Sequence, residues 1–311
     1  MGEDGWHAEP IFTVGETISG TSGDYTPPGV LDGLGAYELD DETVRVFANH
    51  ELLHFRGYGY EVSDGSGGTF TMNGARISYF DIDKDTRSIV DSGLAINTVY
   101  DANGDIATGL EFQNEPYAPF FGGPGDSAPL AGFSRFCSGS LFEAHEFSAK
   151  RGLENRIYFA GEEDGGGFNS VGGGEWALDP ETGNIWHLPD LGRGGWENVA
   201  VVDTGRSDTV GVILADDTSP FDFDDDGEDE AAPLFLYVGE KDPNGDVPAQ
   251  NGLRGGSLYV WVANNGATSP ADYNTSGKLA GTWVEVDNSP TGTPSLDGTS
   301  GYDRFGYPTQ G

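Results

Sequence analysis

Cys137 is the only thiol in this 311-residue chain. It lies in the segment 132–143, which reads Gly-Phe-Ser-Arg-Phe-Cys-Ser-Gly-Ser-Leu-Phe-Glu. A single cysteine cannot close an internal disulfide, so it is either a small buried residue or a soft ligand or nucleophile. The residue type alone leaves both interpretations open.

Carboxylates recur after apolar, strand-like runs elsewhere in the chain. They are Glu51 in Asn49-His50-Glu51, Glu162 and Glu163 after the run 157–161, Glu197 in the segment 195–198, and Asp216 and Asp217 after the run 210–215. Carboxylates bind hard cations, whereas a thiolate suits a softer transition metal. If these strand ends converge on Cys137, the mixed cluster would hold metal ions that polarise phosphate oxygens and supply a hydroxide for in-line attack.

Other catalytic patterns are absent from the sequence. There is no Gly-x-Ser-x-Gly elbow, no phosphate-binding Walker loop, and no zinc-type histidine spacing. The acidic run 222–230 opens like a calcium loop, but Pro233 stands at the twelfth position, where a bidentate glutamate is required. We therefore interpret that run as a solvated acidic loop.

The charge balance excludes some partners. Fifteen basic against 52 acidic residues give a formal net charge of −37, which disfavours binding to nucleic acid or to anionic lipid surfaces. With 36% hydrophobic and 12% aromatic residues the chain can still bury a core. No apolar run approaches the roughly 20 residues that a membrane-spanning helix needs.

The acidic surface also suggests a location. Excess carboxylate suits a saline environment or calcium binding, both typical of an extracellular or periplasmic protein. The first residues show no secretory signal, so this localisation assumes a leader that is not visible in the chain.

The composition favours an all-β fold. Fifty Gly and 17 Pro, with abundant aromatic and β-branched residues, are typical of short strands joined by turns. A strand, polar turn and second strand recur at 35–51, 76–90 and 176–186, which is the hairpin pattern of β-propeller blades. Further strands are expected at 11–15, 198–203, 209–215, 234–239, 257–263 and 281–286.

These strands predict the domain organisation. About a dozen strands at four per blade give roughly three blades, a partial ring with long loop insertions at 103–129 and 222–232. We expect a single propeller-type domain over 1–311, with a Ser-, Thr- and Gly-rich tail at 264–311.

Several motifs in this order resemble the PhoX family of bacterial alkaline phosphatases. The motifs cover most of residues 11–290 and comprise segments 25–37, Asn49 to Glu51, Arg135 to Ser138, 157–163, Trp196 to Asn198, Ala215 to Asp217, 236–241 and 251–260. The resemblance implies an exported six-bladed β-propeller that hydrolyses small phosphomonoesters at a cluster of iron (Fe3+) and calcium. It also implies that family members continue beyond this chain, with further blades that serve phosphate and metal.

The resemblance carries a candidate site onto this sequence. Cys137 would be the family's bridging cysteine and, with Glu51 and Glu197, would serve catalysis. The implied metal ligands are Cys137, Glu51, Glu162, Glu163, Glu197, Asn49 and Asp217. Two positions depart from the family pattern, because Gly161 replaces a cysteine and Trp196 replaces a histidine.

A second function class remains open at this point. The chain would then be a non-catalytic, calcium-stabilised β-propeller surface or binding protein, in which the carboxylates are structural and Cys137 is simply buried.

Overall fold

The computed structural model describes residues 9–109, 112, 132–163, 173–217, 233–267 and 278–286. Within these ranges the chain is nearly all β, as predicted, with one short helix, α1 (Val247–Gln250), and a 3-10 turn at Pro189–Leu191. The strands are β1 (Ile18–Gly20), β2 (Gly23–Tyr25), β3 (Leu31–Glu38), β4 (Thr43–His50), β5 (Tyr60–Ser63), β6 (Thr69–Met72), β7 (Arg76–Asp83), β8 (Ile89–Leu94), β9 (Thr98–Tyr100), β10 (Phe136–Phe142), β11 (Ile157–Glu162), β12 (Glu175–Leu178), β13 (Asn184–His187), β14 (Trp196–Val202), β15 (Thr209–Asp216), β16 (Leu234–Glu240), β17 (Ser257–Ala263) and β18 (Gly281–Val286).

Three antiparallel units of at least four strands organise these elements. The first unit is β3-β4-β7-β8, the second is β10-β11-β12-β13, and the third is β14-β15-β16-β17 with β18 at its edge. Strand β9 pairs in parallel with β13 and β5, which joins the β5-β6 hairpin to the second unit. Strands β1 and β2 form a separate hairpin.

The three predicted hairpins are confirmed, and their turns show why the sequence reverses there. Asp40 accepts from the backbone N–H of Glu42, Asp83 from that of Thr86, and Asp179 from that of Glu181. An aspartate that binds the backbone two or three residues ahead stabilises a tight turn.

One predicted strand is wrong, and several short strands were missed. Residues 11–15 form a turn instead, in which Gly15 has φ +83° and donates its N–H to the carbonyl of Pro27. The Phe12 ring stacks on Phe80 with centroids 4.7 Å apart, so its apolar character serves packing. Strands β1, β2, β5, β6 and β9 have only three or four residues, too few for a clear alternation pattern. The acidic run 222–230 lies outside the described residues.

Two hydrophobic clusters hold the units together. Tyr158 and Trp176 belong to the cluster shared with the first unit, which includes Phe47, whereas Phe159 belongs to the cluster shared with the third unit, which includes Trp196. Successive residues of a strand face opposite sides of its sheet. The second unit is therefore packed between the other two.

The first strands of the units lie side by side, with β10 in contact with both β3 and β14. Glycines permit the approach of β3 to β10, because a Cβ on Gly33 would lie 2.1 Å from the backbone nitrogen of Gly139. Only the absence of a side chain allows two backbones so close together. In the described part of the chain, no helix has the length and apolar character to cross a membrane.

Candidate metal centre

Three acidic or thiol side chains meet from the three units. Asp32 lies on β3, Cys137 on β10 and Glu197 on β14, and each is on the first strand of its unit. Glu51 and Glu163 follow directly after β4 and β11. The contact of β10 with β3 and β14 thus brings Cys137 to Asp32 and Glu197, which lie 105 and 60 positions away in sequence.

A register irregularity occurs at each of these three strand positions. The pairing shifts between Leu31 and Leu34, between Phe136 and Gly139, and between Trp196 and Asn198. These intervals contain Asp32, Cys137 and Glu197. Since a bulge re-aims the side chain of the extra residue, the irregularities explain how three strands turn a functional group towards one point.

The sulfur of Cys137 belongs to two groups of potential ligands. Asp32, Glu51 and Cys137 form the first group, and Cys137, Glu163 and Glu197 form the second, with ligand atoms within 4.8 Å of one another in each. The Sγ atom is 3.6 Å from Asp32 Oδ2 and 3.5 Å from Glu197 Oε2. One sulfur is therefore placed where it can serve two neighbouring cations.

Arg135 supplies a positive charge between the groups. Its Nη2 lies 2.7 Å from Glu51 Oε1 and 2.5 Å from Glu163 Oε2. Its Nε also donates to Glu51 Oε1 at 2.9 Å. The guanidinium thus neutralises part of the charge of one carboxylate from each group.

The electrostatics of the centre favour a bound cation. Burial, followed by the nearby charges of Glu163, Asp32 and Glu197, raises the pKa of the Cys137 thiol. Burial raises the pKa of Asp32, and the neighbouring Glu51 carboxylate raises it further. Burial, then a hydrogen bond with Asp217, raises the pKa of Glu163 to about 7. A metal ion reverses this balance, because it stabilises the thiolate and the ionised carboxylates.

The structure does not place Glu162 in this centre. Its carboxylate accepts from the backbone N–H of Ser134 at 2.8 Å, from that of Gly174 at 3.0 Å, and from Trp176 Nε1 at 3.3 Å. Burial raises the pKa of Glu162 to about 8, against these three donors, which favour the ionised form. Glu162 and Glu163 are consecutive, so they face opposite sides, and only Glu163 reaches Cys137.

Asn49 and Asp217 occupy supporting positions. The Asn49 side-chain amide donates to the carbonyl of Ser138 at 2.7 Å and accepts from the Tyr158 hydroxyl at 2.9 Å. Because both ends of the amide are engaged, Asn49 fixes the strand that carries Cys137 and is not free to be a ligand. Asp217 interacts with the side chain of Glu163.

Sequence reasoning missed two residues of the centre. Asp32 was not among the candidates, although it lies in the motif of residues 25–37. The adjacent Gly33 is the kind of residue that permits a close backbone approach, and it is the signal that could have identified this position. Arg135 lies two residues before Cys137 and was not predicted to pair with the carboxylates. Its partners Glu51 and Glu163 are distant in sequence, so their proximity required the fold.

The donor set fits metal ions. Four carboxylates provide oxygen ligands for a hard cation, and the sulfur adds one softer donor. Cys137 is partly exposed. The hypothesis of a non-catalytic protein expected Cys137 to be simply buried, and its partial exposure differs from that expectation.

Comparisons with family models, with characterised proteins and with solved structures give no match for this chain. The function of the chain is therefore inferred from the geometry of the centre.

Proposed function

We propose that this chain carries a metal-dependent phosphomonoesterase centre at Cys137. The observation that supports the proposal most strongly is the single sulfur shared by two three-ligand groups, with side chains drawn from three separate sheets. Carboxylates on a solvated surface repel one another, so solvation alone does not explain why they cluster around one thiol. A sulfur shared between two ligand groups would suit a centre that holds two neighbouring metal ions.

The propeller architecture is part of the same proposal. Three antiparallel units of at least four strands, with β10 in contact with both β3 and β14, agree with consecutive blades whose first strands line a common axis. In such a fold the functional residues converge at one end of the axis. Asp32, Cys137 and Glu197 lie one on the first strand of each unit, which is compatible with such an arrangement.

The charge of the centre explains why cations must precede the substrate. Without them, Asp32, Glu51, Glu163 and Glu197 would repel a phosphate dianion. Bound metal ions supply Lewis-acid polarisation of the phosphoryl oxygens and an activated water nucleophile. Asp32 and Glu197 flank the sulfur, whereas Glu51 and Glu163 anchor the side occupied by Arg135.

We infer calcium and iron as the metals, from the mixture of carboxylates with one thiolate. The substrate would be a small phosphomonoester, and the acidic composition agrees with action in an extracellular or periplasmic setting.

The test combines metal analysis with turnover. The full chain is loaded with calcium and ferric iron, dialysed, and assayed for bound metal and for hydrolysis of p-nitrophenyl phosphate. We expect both in the wild type, and at least a ~100-fold loss of activity with loss of iron in Cys137→Ser. Ser138→Ala, on the next residue of β10, is the matched control and should keep both. A folded wild type that retains neither metal contradicts the proposal.

A further inference from the structure

Arg135 is tied to both ligand groups at once. Its guanidinium contacts Glu51 of the first group and Glu163 of the second, with the shortest N to O distances at 2.7 and 2.5 Å. A carboxylate whose charge is partly neutralised by a guanidinium attracts a cation less strongly. Arg135 and the metal ions therefore compete for the same two carboxylates.

The backbone of Arg135 is held while its side chain is not enclosed. Its N–H donates to the carbonyl of Leu52 at 2.9 Å, and its carbonyl accepts from the N–H of Glu163 at 3.0 Å. The residue has φ +47°, a left-handed conformation that is uncommon outside glycine. The side chain is 32% exposed. The guanidinium can consequently turn towards solvent without leaving the edge of the centre.

We propose that Arg135 is the phosphate-binding group of the centre, held by Glu51 and Glu163 until cations occupy those carboxylates. This inference rests on the proposed function and assigns a further residue to it. Once the carboxylates bind cations, the guanidinium loses these two contacts and can donate to an anion beside them. Its planar fork of N–H donors matches two phosphate oxygens, and an ammonium cannot reproduce this bidentate geometry.

The first arm of the test measures competition with a cation. Co2+ is titrated into the full chain while the thiolate-to-cobalt absorption band is followed, which reports binding at Cys137 without any activity. We expect Arg135→Gln to bind Co2+ on the order of tenfold more tightly than the wild type, because the competing charge is gone. Arg135→Lys should show a smaller gain.

The second arm measures anion binding. Inorganic phosphate is titrated calorimetrically into the Co2+-loaded proteins. Loss of a bidentate, charge-assisted contact should weaken phosphate binding by about 10- to 100-fold in Arg135→Gln, with Arg135→Lys in between.

Arg156 provides the matched control for both arms. It pairs with Glu143 and Glu181 on the same sheet at similar exposure, but neither carboxylate belongs to a ligand group. Arg156→Gln should therefore bind Co2+ and phosphate like the wild type.

The two proposals fail on different results. Equal or weaker Co2+ binding by Arg135→Gln, or unchanged phosphate affinity, contradicts the role of Arg135 but not the proposed metal centre. Absence of the cobalt band in the wild type and in Arg135→Gln alike removes the proposed function itself. If Arg135→Gln does not fold by circular dichroism, the same comparison is decided by Arg135→Lys, which keeps a positive charge.

Discussion

Glu162 and Glu163 are neighbours in sequence but belong to two different regions of the molecule. Glu162 points into the interior, where three N–H groups surround its carboxylate. Glu163 points to the centre at Cys137, where its only cationic contact among the described ion pairs is Arg135. The fold supplies three hydrogen-bond donors to Glu162. Glu163 instead has an ion pair, which a metal ion can replace.

Glu175 extends the interior region and sharpens the contrast. It lies on β12, fully buried, and neither carboxylate oxygen has a hydrogen-bond partner of good geometry among the described residues. Burial raises the pKa of Glu175 well above its usual value. The interior therefore holds carboxyl groups that are neutral or surrounded by N–H donors, whereas the centre gathers its carboxyl groups around a potential cation.

The largest expected effect is on stability, in Glu162→Ala. The change leaves three buried donors without an acceptor, and should lower the free energy of unfolding by about 3 to 5 kcal/mol. Urea denaturation of the metal-free protein measures this loss. Glu163→Ala is the control and should cost less, because it leaves no backbone donor unpaired and its cationic partner Arg135 is partly exposed. Similar losses in the two variants would erase the contrast between the regions.

The next prediction concerns pH, in Glu175→Gln. The folded protein holds Glu175 neutral, whereas the unfolded chain ionises it above its ordinary value of 4.5. The stabilisation of the folded state by the neutral Glu175 is therefore complete below pH 4.5. As the pH rises, the free energy of unfolding falls by about 1.4 kcal/mol per pH unit, until Glu175 ionises in the folded protein. At pH 7.5 Glu175→Gln should be more stable than the wild type, and the difference should be larger than at pH 4.5.

Chemical denaturation at pH 4.5 and 7.5 measures this difference. The exposed Glu240 serves as the control position, and Glu240→Gln should follow the wild type at both values. A Glu175→Gln protein that is no more stable than the wild type at pH 7.5 would show that the buried carboxyl is ionised and bonded.

The third prediction compares the two neighbours as ligands. Glu163→Gln should weaken Co2+ binding at the Cys137 band by about tenfold or more, because one ligand charge is lost. Glu162→Gln should leave the affinity of the folded protein unchanged, since that side chain faces away. Equal effects would place both carboxylates in the centre.

The smallest effect is expected for Tyr158→Phe. Its hydroxyl donates to Asn49 Oδ1 at 2.9 Å and to the carbonyl of Gly33 at 3.1 Å, linking β11 to β4 and β3. Loss of the hydroxyl should cost about 1 kcal/mol, measured by thermal unfolding. Tyr37→Phe, at another buried tyrosine of the same cluster, is the comparison variant. A loss no larger than that of Tyr37→Phe would argue against the link.

Much of the fold was predictable because its signals are local. The hairpin turns at Asp40, Asp83 and Asp179 follow from side chains that bond the backbone a few residues ahead. The thiol and most of the carboxylates of the centre were also recognisable from their residue types. Glu162 was misplaced because a pair of adjacent glutamates does not show which one faces the site.

The amino-acid sequence by itself determined the all-β class, the main hairpins and the presence of one thiol among acidic strand ends. Only the tertiary structure decided which carboxylates meet that thiol. Three register irregularities and the glycine-mediated approach of β3 to β10 bring Asp32, Cys137 and Glu197 together. Turn formation depends on neighbours in the chain, whereas a shared ligand site depends on the relative position of separate sheets, which packing alone fixes.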